Sequence, residues 1–469
     1  MPSRTPDYEA SQGKLQATVY HEDESTTLLF SSDGSTPTSY ALVQWKDHLD
    51  PITLLLEELE PQLAEATGTF VRDLERALRN PPTDLDELDL EALNARPSEK
   101  WATYPDPEVI CCWVAEMDYP LAHPIRNFIQ RAVDTNDLGY VLELRDTGIM
   151  QAFAERMDEC FGWEVAPERC EVLSEVVQGL YISLEAYSEP GDAAVVQTSI
   201  YPPFLSAVRD TGRRLINNKL VYGESGFEVD FDALRRDIDS GTRTLLLCNP
   251  HNPTGRVFTR SELEQFGEIA LQNDLVVVTD EIHSDLVFDG REHIPFGTLS
   301  PEIGERTVTL TSASKAFNIP GLRTAIAHFG SEDLHKRFNG AVTRHIRGGI
   351  GLLGVYTSIA AWKHSQPWVE QVRDYLQDNR NFATEFLRKR CPDLKFSPPE
   401  ATYLMWFDCE AYALKPSPAR FFYEHGKIAM SDGRMFGPGY EDFVRLNIAT
   451  SRPILSEILE RFATALESR

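Results

Sequence analysis

The sequence is poor in cysteine and has no long apolar run. Its seven cysteines, at positions 111, 112, 160, 170, 248, 391 and 409, form no Cys-x-x-Cys pair and match no metal-binding spacing. We therefore expect buried or free thiols in a reducing compartment. No stretch reaches the roughly 18 uninterrupted apolar residues of a membrane span, and the N-terminus lacks the apolar run of a signal peptide. The expected location is the cytoplasm.

Basic residues are also scarce. The chain has 45 Lys and Arg against 73 Asp and Glu, which gives a net charge of -28 and a pI near 4.8. This balance argues against binding to nucleic acid or to an anionic membrane, although it allows a local basic pocket. With 469 residues, 42% of them hydrophobic, the chain is long enough for two or three globular domains.

Residues 1–100 differ in character from the rest and are predicted to form an acidic, partly helical N-terminal extension. The first forty are rich in Ser and Thr and show no clear period, whereas 51–60 and 70–78 have the apolar spacing of helices. A helical hairpin packed on the main body is one interpretation. A DNA-reading module is the other, but eight Lys or Arg against twenty Asp or Glu in this segment disfavour it.

From residue 101 onward, short β-branched apolar runs alternate with segments of helical length. The runs lie at 194–197, 244–247, 275–279 and 307–310, and each is followed by a polar segment with Gly or Pro. This pattern predicts an α/β fold with a mostly parallel sheet, which we take as seven-stranded, between layers of helices. Ligands of such sheets bind at the carboxyl ends of the strands, so the polar segments should converge on one site.

The segment after the last of these runs, 311–323, contains the most informative lysine. Lys315 lies among small and hydroxyl residues, and desolvation in such a place would make it a nucleophile for a carbonyl. The hydroxyls of Ser312 and Ser314 and the guanidinium of Arg323 suit a phosphate. An aldehyde that carries a phosphate indicates pyridoxal 5′-phosphate (PLP), although the same pattern also occurs in ordinary surface turns.

The other segments offer complementary groups. Asn252 lies in a Pro- and Gly-fixed turn and can present its amide to a ligand or close a structural turn. Asp280, at a strand end, could pair with a protonated pyridine nitrogen; with Glu281 and His283 it also resembles a metal cluster, which nothing else supports. Tyr201 is held by two prolines and could stack on a flat ring or belong to the core.

A helix predicted to begin near residue 176 would complete the site. The free amides of Val176 and Val177, at the positive end of the helix dipole, suit a phosphate.

Together these segments resemble a known family. The motifs NPHNPTG at 249–255, TDEIHSD at 279–285 and SASKAFNIPGLR at 312–323 are similar to those of fold-type I PLP enzymes of the class I/II aminotransferase superfamily. Three more motifs, WVAEMDYP at 113–120, PEATYLMWFD at 399–408 and FGPGYEDFVRLN at 436–447, resemble the MalY/PatB-like cystathionine β-lyase branch. The resemblance covers residues 96–469. It implies a small domain formed by 101–135 and 351–469, and a large cofactor-binding domain at 136–350.

The resemblance also implies a role for each residue. Lys315 would hold PLP as an imine and carry the substrate proton, and Asp280 would pair with the pyridine nitrogen. The remaining cofactor contacts would come from Asn252, His283, Tyr201, Val176, Val177, Ser312, Ser314 and Arg323. Arg445 would bind the substrate carboxylate bidentately, with Tyr119 and Asn252 nearby. Tyr140 would reach the cofactor of a neighbouring subunit, which implies a homodimer with shared sites.

Several reactions are compatible with these roles. Loss of a thiolate from Cβ after removal of the Cα proton would make the protein a carbon–sulfur lyase, which is our first choice. The alternatives are transamination and γ-elimination or replacement on S-adenosylmethionine in a specialised biosynthetic pathway. A PLP-binding regulator is the non-enzymatic alternative.

Three departures from the family pattern bear on the substrate. Glu175 stands where glycine is usual before the two valines. Glu116, the first residue of the Glu-Met-Asp sequence at 116–118, stands where the family usually has Asp. The segment with Arg344, His345 and Arg347 is unusually basic. It is either a solvated helix end or a site for a larger, anionic second substrate.

Overall fold

The structure, a computed structural model, describes residues 6, 8–12, 15–22, 25–31, 37–43, 51–64, 66–223 and 226–469. Within these ranges, no helix is both long enough and apolar enough to cross a membrane. All seven cysteines are free thiols, as the sequence predicted, and six of them are buried.

The N-terminal segment contains an antiparallel sheet of four strands in chain order, followed by two helices. Its elements are β1 (Tyr8–Gln12), β2 (Leu15–Glu22), β3 (Ser25–Ser31), β4 (Thr38–Val43), α1 (Pro51–Leu63) and α2 (Gly68–Arg79). Both predicted helices are therefore present, but the strands were not predicted. They form because apolar side chains alternate along the chain and one face of the sheet packs on the helices, through residues such as Leu15, Val19, Leu28, Leu59 and Leu74.

Polar contacts attach this segment to the rest of the chain. The Arg76 guanidinium on α2 donates to both carboxylate oxygens of Glu159, at 2.8 and 2.6 Å. The amide of Asn80 donates to the carbonyl of His364 at 2.7 Å. The connection then continues through α3 (Leu90–Asn94), α4 (Glu99–Ala102) and β5 (Ile110–Cys111).

The central region alternates strands and helices. The helices are α5 (His123–Asp134), α6 (Ile149–Phe161), α7 (Val176–Tyr187), α8 (Pro202–Asp210), α9 (Phe231–Asp237), α10 (Arg260–Gln272), α11 (Pro301–Gly304) and α12 (Glu332–Ala341). The strands are β6 (Cys170–Leu173), β7 (Ala193–Val196), β8 (Arg214–Asn217), β9 (Val221–Gly223), β10 (Gly226–Glu228), β11 (Thr242–Cys248), β12 (Val276–Asp280), β13 (Thr307–Thr311) and β14 (Ala325–Phe329).

Seven of these strands form one sheet, in the order β6-β14-β13-β12-β11-β7-β8. The sheet is mostly parallel, as predicted, and β14 is antiparallel to both of its neighbours. Apolar cores cover both faces: Leu245 and Leu247 of β11 belong to one core and Leu246 to the other. The continuous apolar runs in the sequence thus reflect strands that are buried on both sides.

The C-terminal region contains α13 (Arg344–Arg347), α14 (Leu352–His364), α15 (Gln366–Arg390), β15 (Leu404–Asp408), α16 (Pro418–Phe421), β16 (Ile428–Ala429), β17 (Ser431–Asp432), β18 (Phe443–Asn447) and α17 (Arg452–Glu467). Strands β15, β18 and β17 form a small antiparallel sheet. Strand β16 pairs in parallel with β5. This pairing brings the segment before α5 together with the end of the chain.

Candidate active site

The polar segments that follow β11, β12 and β13 converge on one cavity, as the sequence predicted. The strands are in register, with Cys248 beside Asp280 and Asp280 beside Leu310, so the three strands end at the same edge. The cavity has a volume of about 420 Å³. Its lining includes the predicted residues Val176, Val177, Tyr201, Asn252, Asp280, His283, Ser312, Ser314, Lys315 and Arg323.

An acidic and a basic side chain, Asp280 and Lys315, line this cavity. Burial raises the pKa of Asp280 to about 7, although a hydrogen bond from the Ile282 amide (3.0 Å) and the charge of Lys315 act in the other direction. Burial and the nearby Arg445 guanidinium lower the pKa of Lys315 to about 8. The Lys315 amine donates to the carbonyl of Ala115 at 2.8 Å. A lysine with such a pKa is a usable nucleophile near neutral pH.

A buried polar atom beside this pair has no partner. Burial, reinforced by the charges of Lys315 and Arg445, lowers the pKa of His283 to about 3, so the imidazole is neutral. His283 is only 2% exposed, and its Nδ1 has no hydrogen-bond partner among the described residues. Because buried polar atoms are normally satisfied, this nitrogen indicates a ligand group in the cavity.

Arg445 lies on β18, behind the turn that carries Asn252. Its guanidinium donates to the side-chain oxygen of Asn252 at 2.9 Å and to the carbonyl of Trp113 at 2.9 Å. The Nε atom is buried and has no partner in the described part of the chain. Arg445 is 5% exposed, and burial lowers its pKa to about 10. The nitrogen that bonds to Trp113 also donates to the Ser431 hydroxyl at 3.1 Å, and Arg445 is not among the residues that line the cavity, so a carboxylate would reach it only by replacing some of these contacts.

The opposite end of the cavity has the features of an anion site. Helix α7 begins at Val176, and its first amides have no partners within the helix. Arg323 lies beside them and pairs with the Glu175 carboxylate at 2.9 Å. An anion bound here would therefore share Arg323 with Glu175.

The Ser312 hydroxyl already has hydrogen-bond partners within the chain. The Ser312 hydroxyl donates to the carbonyl of Thr324 at 2.5 Å and accepts from the Ser314 amide at 3.0 Å. The hydroxyl of Ser312 is thus used in hydrogen bonds that stabilise the loop around Lys315. The sequence treated Ser312 and Ser314 as equivalent phosphate ligands, because such internal hydrogen bonds are not visible in a motif.

Tyr201 comes immediately before α8 and lines the cavity, as predicted. Pro202 and Pro203 begin the helix and suit its first turn, because the orphan amides there need no partner inside the helix. Burial raises the pKa of the Tyr201 phenol, and Asp280 adds to this effect while Arg445 opposes it. The phenol therefore stays protonated at neutral pH.

Two tyrosines named by the sequence lie outside this cavity. Tyr119 was expected near the substrate, and this expectation is corrected: its side chain is 2% exposed and its hydroxyl donates to the carbonyl of Thr450 at 2.9 Å. The ring packs against Tyr375, so Tyr119 belongs to the core. Tyr140 is fully exposed and lines a separate cavity of about 970 Å³.

Sequence reasoning named only part of the lining and missed, among others, two residues at the start of α4. Ser98 and Glu99 reach the cavity from the start of α4, ahead of all the recognised motifs. The four-residue helix α4 gives no periodic signal, and its position depends on contacts with the distant Asp118. Only the spatial arrangement shows that it borders the site.

The metal alternative finds no support. In the described ranges, no group of three or more His, Cys, Asp or Glu side chains is arranged to hold a metal ion. The Glu281 carboxylate instead bonds to His293 at 2.9 Å and to the Phe296 amide at 2.9 Å. Of the three residues in the suggested cluster, Asp280 and His283 line the cavity.

The arrangement fits a flat aromatic aldehyde that carries a phosphate. A lysine with a lowered pKa and a buried carboxylate both line the cavity; the lysine could bond to the aldehyde, and the carboxylate could pair with a ring nitrogen. The amides of a helix N-terminus and Arg323 lie at one end, and the unpaired His283 Nδ1 points to a further polar group of the ligand. These are the groups that PLP requires.

Comparison with known proteins agrees with this geometry. The cystathionine β-lyase PatB of Bacillus subtilis is 34% identical over 356 residues, which cover 76% of this chain and 92% of PatB. The PLP-bound C-S lyase of Staphylococcus hominis superposes with a TM-score of 0.76 at 29% identity, over 82% of this chain and 99% of that chain. OvoB superposes with a TM-score of 0.77 at 35% identity, over 83% of this chain and 100% of that chain. The profile of the family "Aminotransferase class I and II" matches residues 112–462, and the chain therefore belongs to this family.

Proposed function

We propose that this protein is a PLP-dependent carbon–sulfur lyase that acts on an S-substituted cysteine. The observation that carries the proposal is the convergence of Lys315, Asp280 and the α7 N-terminus on one cavity, with Arg445 behind it. Relatives named cystathionine β-lyase and structural neighbours described as C-S lyases support the reaction type.

PLP, when bound, supplies an electron sink for the pair of electrons released at the substrate Cα. The protein positions the groups around it. Val176, Val177 and Arg323 would hold the phosphate, and Asp280 would keep a proton on the ring nitrogen. Tyr201 would lie against the ring.

Lys315 and Arg445 would act on the amino acid itself. Arg445 binds the α-carboxylate, which orients the Cα–H bond toward Lys315. The neutral Lys315 amine takes the Cα proton, and the Cβ–S bond then breaks with its electron pair leaving on sulfur. Water completes the reaction and releases pyruvate and ammonia beside the thiol. The lowered pKa of Lys315 suits its role as a general base, because a general base is most effective when its pKa lies near the ambient pH.

Product analysis tests the reaction type. The purified protein, loaded with PLP, is incubated with cystathionine, with an amino acid plus a keto acid, and with S-adenosylmethionine, and the products are identified by mass. Pyruvate and thiol from cystathionine or another thioether support the lyase. Amino-group exchange with the keto acid, or products of γ-elimination, with no thiol from a broad thioether panel would replace it by the corresponding alternative.

Loading with cofactor has its own test. A protein that holds PLP on a lysine absorbs at about 420 nm, and Lys315→Ala should lose this band while keeping its fold. A colourless wild-type protein that takes up no PLP would overturn the proposal. DNA binding at moderate salt is not expected, since the regulator alternative needs a basic surface.

We also propose that two copies assemble with shared sites. The cavity of about 970 Å³ is bordered by Tyr140 and Leu142 and by the segment from Arg344 to Leu352. Leu138, Tyr140, Leu142 and Ile346 are large, apolar and exposed around it. Such clustering of apolar side chains is typical of a surface that a partner covers.

A further inference from the structure

The carbonyl oxygen of Ala115 accepts two hydrogen bonds at the wall of the active-site cavity. One comes from the Lys315 amine at 2.8 Å, and the other comes from the Tyr403 hydroxyl at 3.0 Å. Ala115 and Lys315 line the cavity, whereas Tyr403 is not among the described residues of its lining. The tyrosine therefore lies behind the wall and is linked to the reactive amine through a shared acceptor.

The backbone on either side of Ala115 is fixed by one side chain. The amide of Asn447, the last residue of β18, donates to the carbonyls of Val114 and Glu116, at 2.7 Å each. The carbonyl between these two is left for the amine and the phenol. Its position therefore does not depend on the lysine that it binds.

The loop that carries Lys315 is attached to the same segment. Asn318, three residues after the lysine, accepts from the Met117 amide at 3.1 Å and donates to the Met117 carbonyl at 3.1 Å. It also donates to the carbonyl of Tyr119 at 3.1 Å. The amine and its acceptor thus lie on two segments that are bonded to each other, so the fold sets the distance between them.

The surroundings of Tyr403 hold its side chain in one place. The side chain is 1% exposed, and burial raises the pKa of the phenol, so the hydroxyl keeps the proton that it donates. The ring packs edge-to-face on the His283 imidazole, with the ring centroids 5.9 Å apart. Thr402, immediately before it, has a φ of +69°, which is unusual for a β-branched residue. Such strained conformations cluster at functional sites, where the surrounding structure imposes them.

The shared acceptor affects the protonation of the amine. A carbonyl oxygen binds an ammonium more strongly than a neutral amine, so the Ala115 carbonyl alone would favour the protonated form of Lys315. The Tyr403 hydroxyl occupies part of this oxygen and points its positive hydrogen toward it. The hydroxyl therefore opposes a second positive charge at the same place, which favours the neutral amine. Only the neutral amine can bond to an aldehyde or take a proton.

Charged side chains from several elements also face the amine. Burial is the largest effect and lowers the pKa of Lys315 to about 8. The charged groups that contribute are Arg445 of β18, which lowers this pKa, and Asp280 of β12, Glu116 and Glu99, which act to raise it. His283, with a pKa of about 3, is neutral. A substitution at Tyr403 changes none of these groups, so two proteins that differ only in the Tyr403 hydroxyl isolate its effect.

We propose that Tyr403 is a positioning residue for Lys315, which holds the Ala115 carbonyl where the amine needs an acceptor and favours the neutral, reactive form of that amine. The proposal rests on the PLP-dependent function proposed above and adds to it a residue outside the cavity.

Acetylation of the free amine tests the proposal without the cofactor. The full-length protein, freed of PLP, is treated briefly with acetic anhydride, which acetylates amines only in their neutral form. Mass spectrometry measures acetylation of Lys315 relative to the exposed Lys336. Tyr403→Phe, which removes the hydroxyl and keeps the ring, should slow acetylation of Lys315 at pH 7 about threefold, the effect of a rise of about half a pKa unit. At about pH 9.5, where the amine is mostly neutral in both proteins, the rates should agree.

Tyr187→Phe is the matched control. Tyr187 is also buried, and its hydroxyl also donates to a backbone carbonyl, that of Leu334 at 2.8 Å, but this tyrosine lies outside the cavity lining. Its substitution should leave the acetylation rate of Lys315 unchanged at both pH values. If Tyr403→Phe does not fold, Tyr403→Met takes its place, because methionine also lacks the hydroxyl and fills irregular space.

The two pH values separate positioning from a general loss of structure. Equal rates for Tyr403→Phe and wild type at pH 7, or a faster reaction in the variant, would overturn the proposal. A reduction by the same factor at both pH values would also overturn it, because the substitution would then change access to Lys315 and not its protonation. PLP uptake is measured separately: a protein that takes up no PLP but shows the expected pH pattern would refute the proposed cofactor and keep the role of Tyr403.

Discussion

Glu175 is unusual for a phosphate site, because it adds a negative charge beside the groups proposed to hold the phosphate. Its carboxylate is 2.9 Å from Arg323 and immediately precedes the α7 amides. Glu175→Gln removes a charge that competes for Arg323 and repels a dianion, so PLP affinity should rise by about twofold to fivefold. Titration of the cofactor-free protein, followed by absorbance, measures this change.

Pyridoxal, which lacks the phosphate, is the control for this prediction. Its affinity should be the same in wild type and Glu175→Gln. Unchanged or weaker PLP binding in the variant would mean that Glu175 orients Arg323 instead of competing for it.

Lys315 should show its lowered pKa in the rate of PLP uptake. Only the neutral amine attacks the aldehyde, and burial with Arg445 lowers the pKa of Lys315 from 10.5 to about 8. The neutral fraction therefore grows as pH rises, and the uptake rate should increase up to about pH 8 to 9 and then level off. Stopped-flow absorbance across this range, with Lys315→Ala as the control, gives the profile. A rate that continues to rise toward pH 10.5 would contradict a desolvated lysine.

At the same scale, the convergence of Asp280 and Lys315 on one cavity could be predicted because it follows from a general rule. Asp280 and Lys315 follow buried strands, and parallel strands end at the same edge of a sheet. Tyr119 was placed wrongly, because a motif shows that a residue is present but not which way its side chain faces. The sequence could not show whether the Ser312 hydroxyl is free either, because its acceptor is the backbone carbonyl of Thr324, and any residue at that position would offer the same group.

Helix α4 shows how a very short element can shape a site. Its four residues could not form a stable helix alone, and the buried pair of Lys100 and Asp118 holds them in place. Sequence patterns do not identify such an element, because its stability comes from contacts and not from periodicity.

Breaking this buried pair should destabilise the protein strongly. Both side chains are at most 2% exposed, so Asp118→Asn leaves the Lys100 charge without its counter-ion. We expect a loss of about 3 to 5 kcal/mol in the free energy of unfolding, measured by urea denaturation. Asp106→Asn, which removes an exposed pair with Lys427, is the matched control and should have a much smaller effect. Equal effects of the two substitutions would mean that loss of the buried pair costs no more stability than loss of the exposed pair.

The N-terminal strands illustrate the opposite case, a signal that was present and not recognised. Leu15, Ala17 and Val19 are buried while Gln16 is exposed, which is the period of two expected of a strand. The abundance of Ser and Thr obscured this alternation. The helices of the same segment were recognised because several apolar residues repeat at helical spacing.

For the whole molecule, the decisive feature is that Tyr140 lies outside the cavity of its own chain. Its side chain is fully exposed and lies on the rim of the cavity of about 970 Å³, together with exposed apolar residues. If a second copy covers this surface, Tyr140 would complete the active site of its partner. Lys315 and Tyr140 would then act in the same site from different subunits.

Mixing two inactive variants tests this arrangement. Lys315→Ala lacks the reactive lysine, and Tyr140→Ala should lose most of its activity because it lacks the residue given to the partner. In a mixed dimer one site contains both substitutions and the other contains neither, so random reassociation should restore about a quarter of the wild-type activity per subunit. Each variant alone, refolded in the same way, is the control. Recovery of no activity, while light scattering shows dimers, would assign Tyr140 to its own subunit or to the surface.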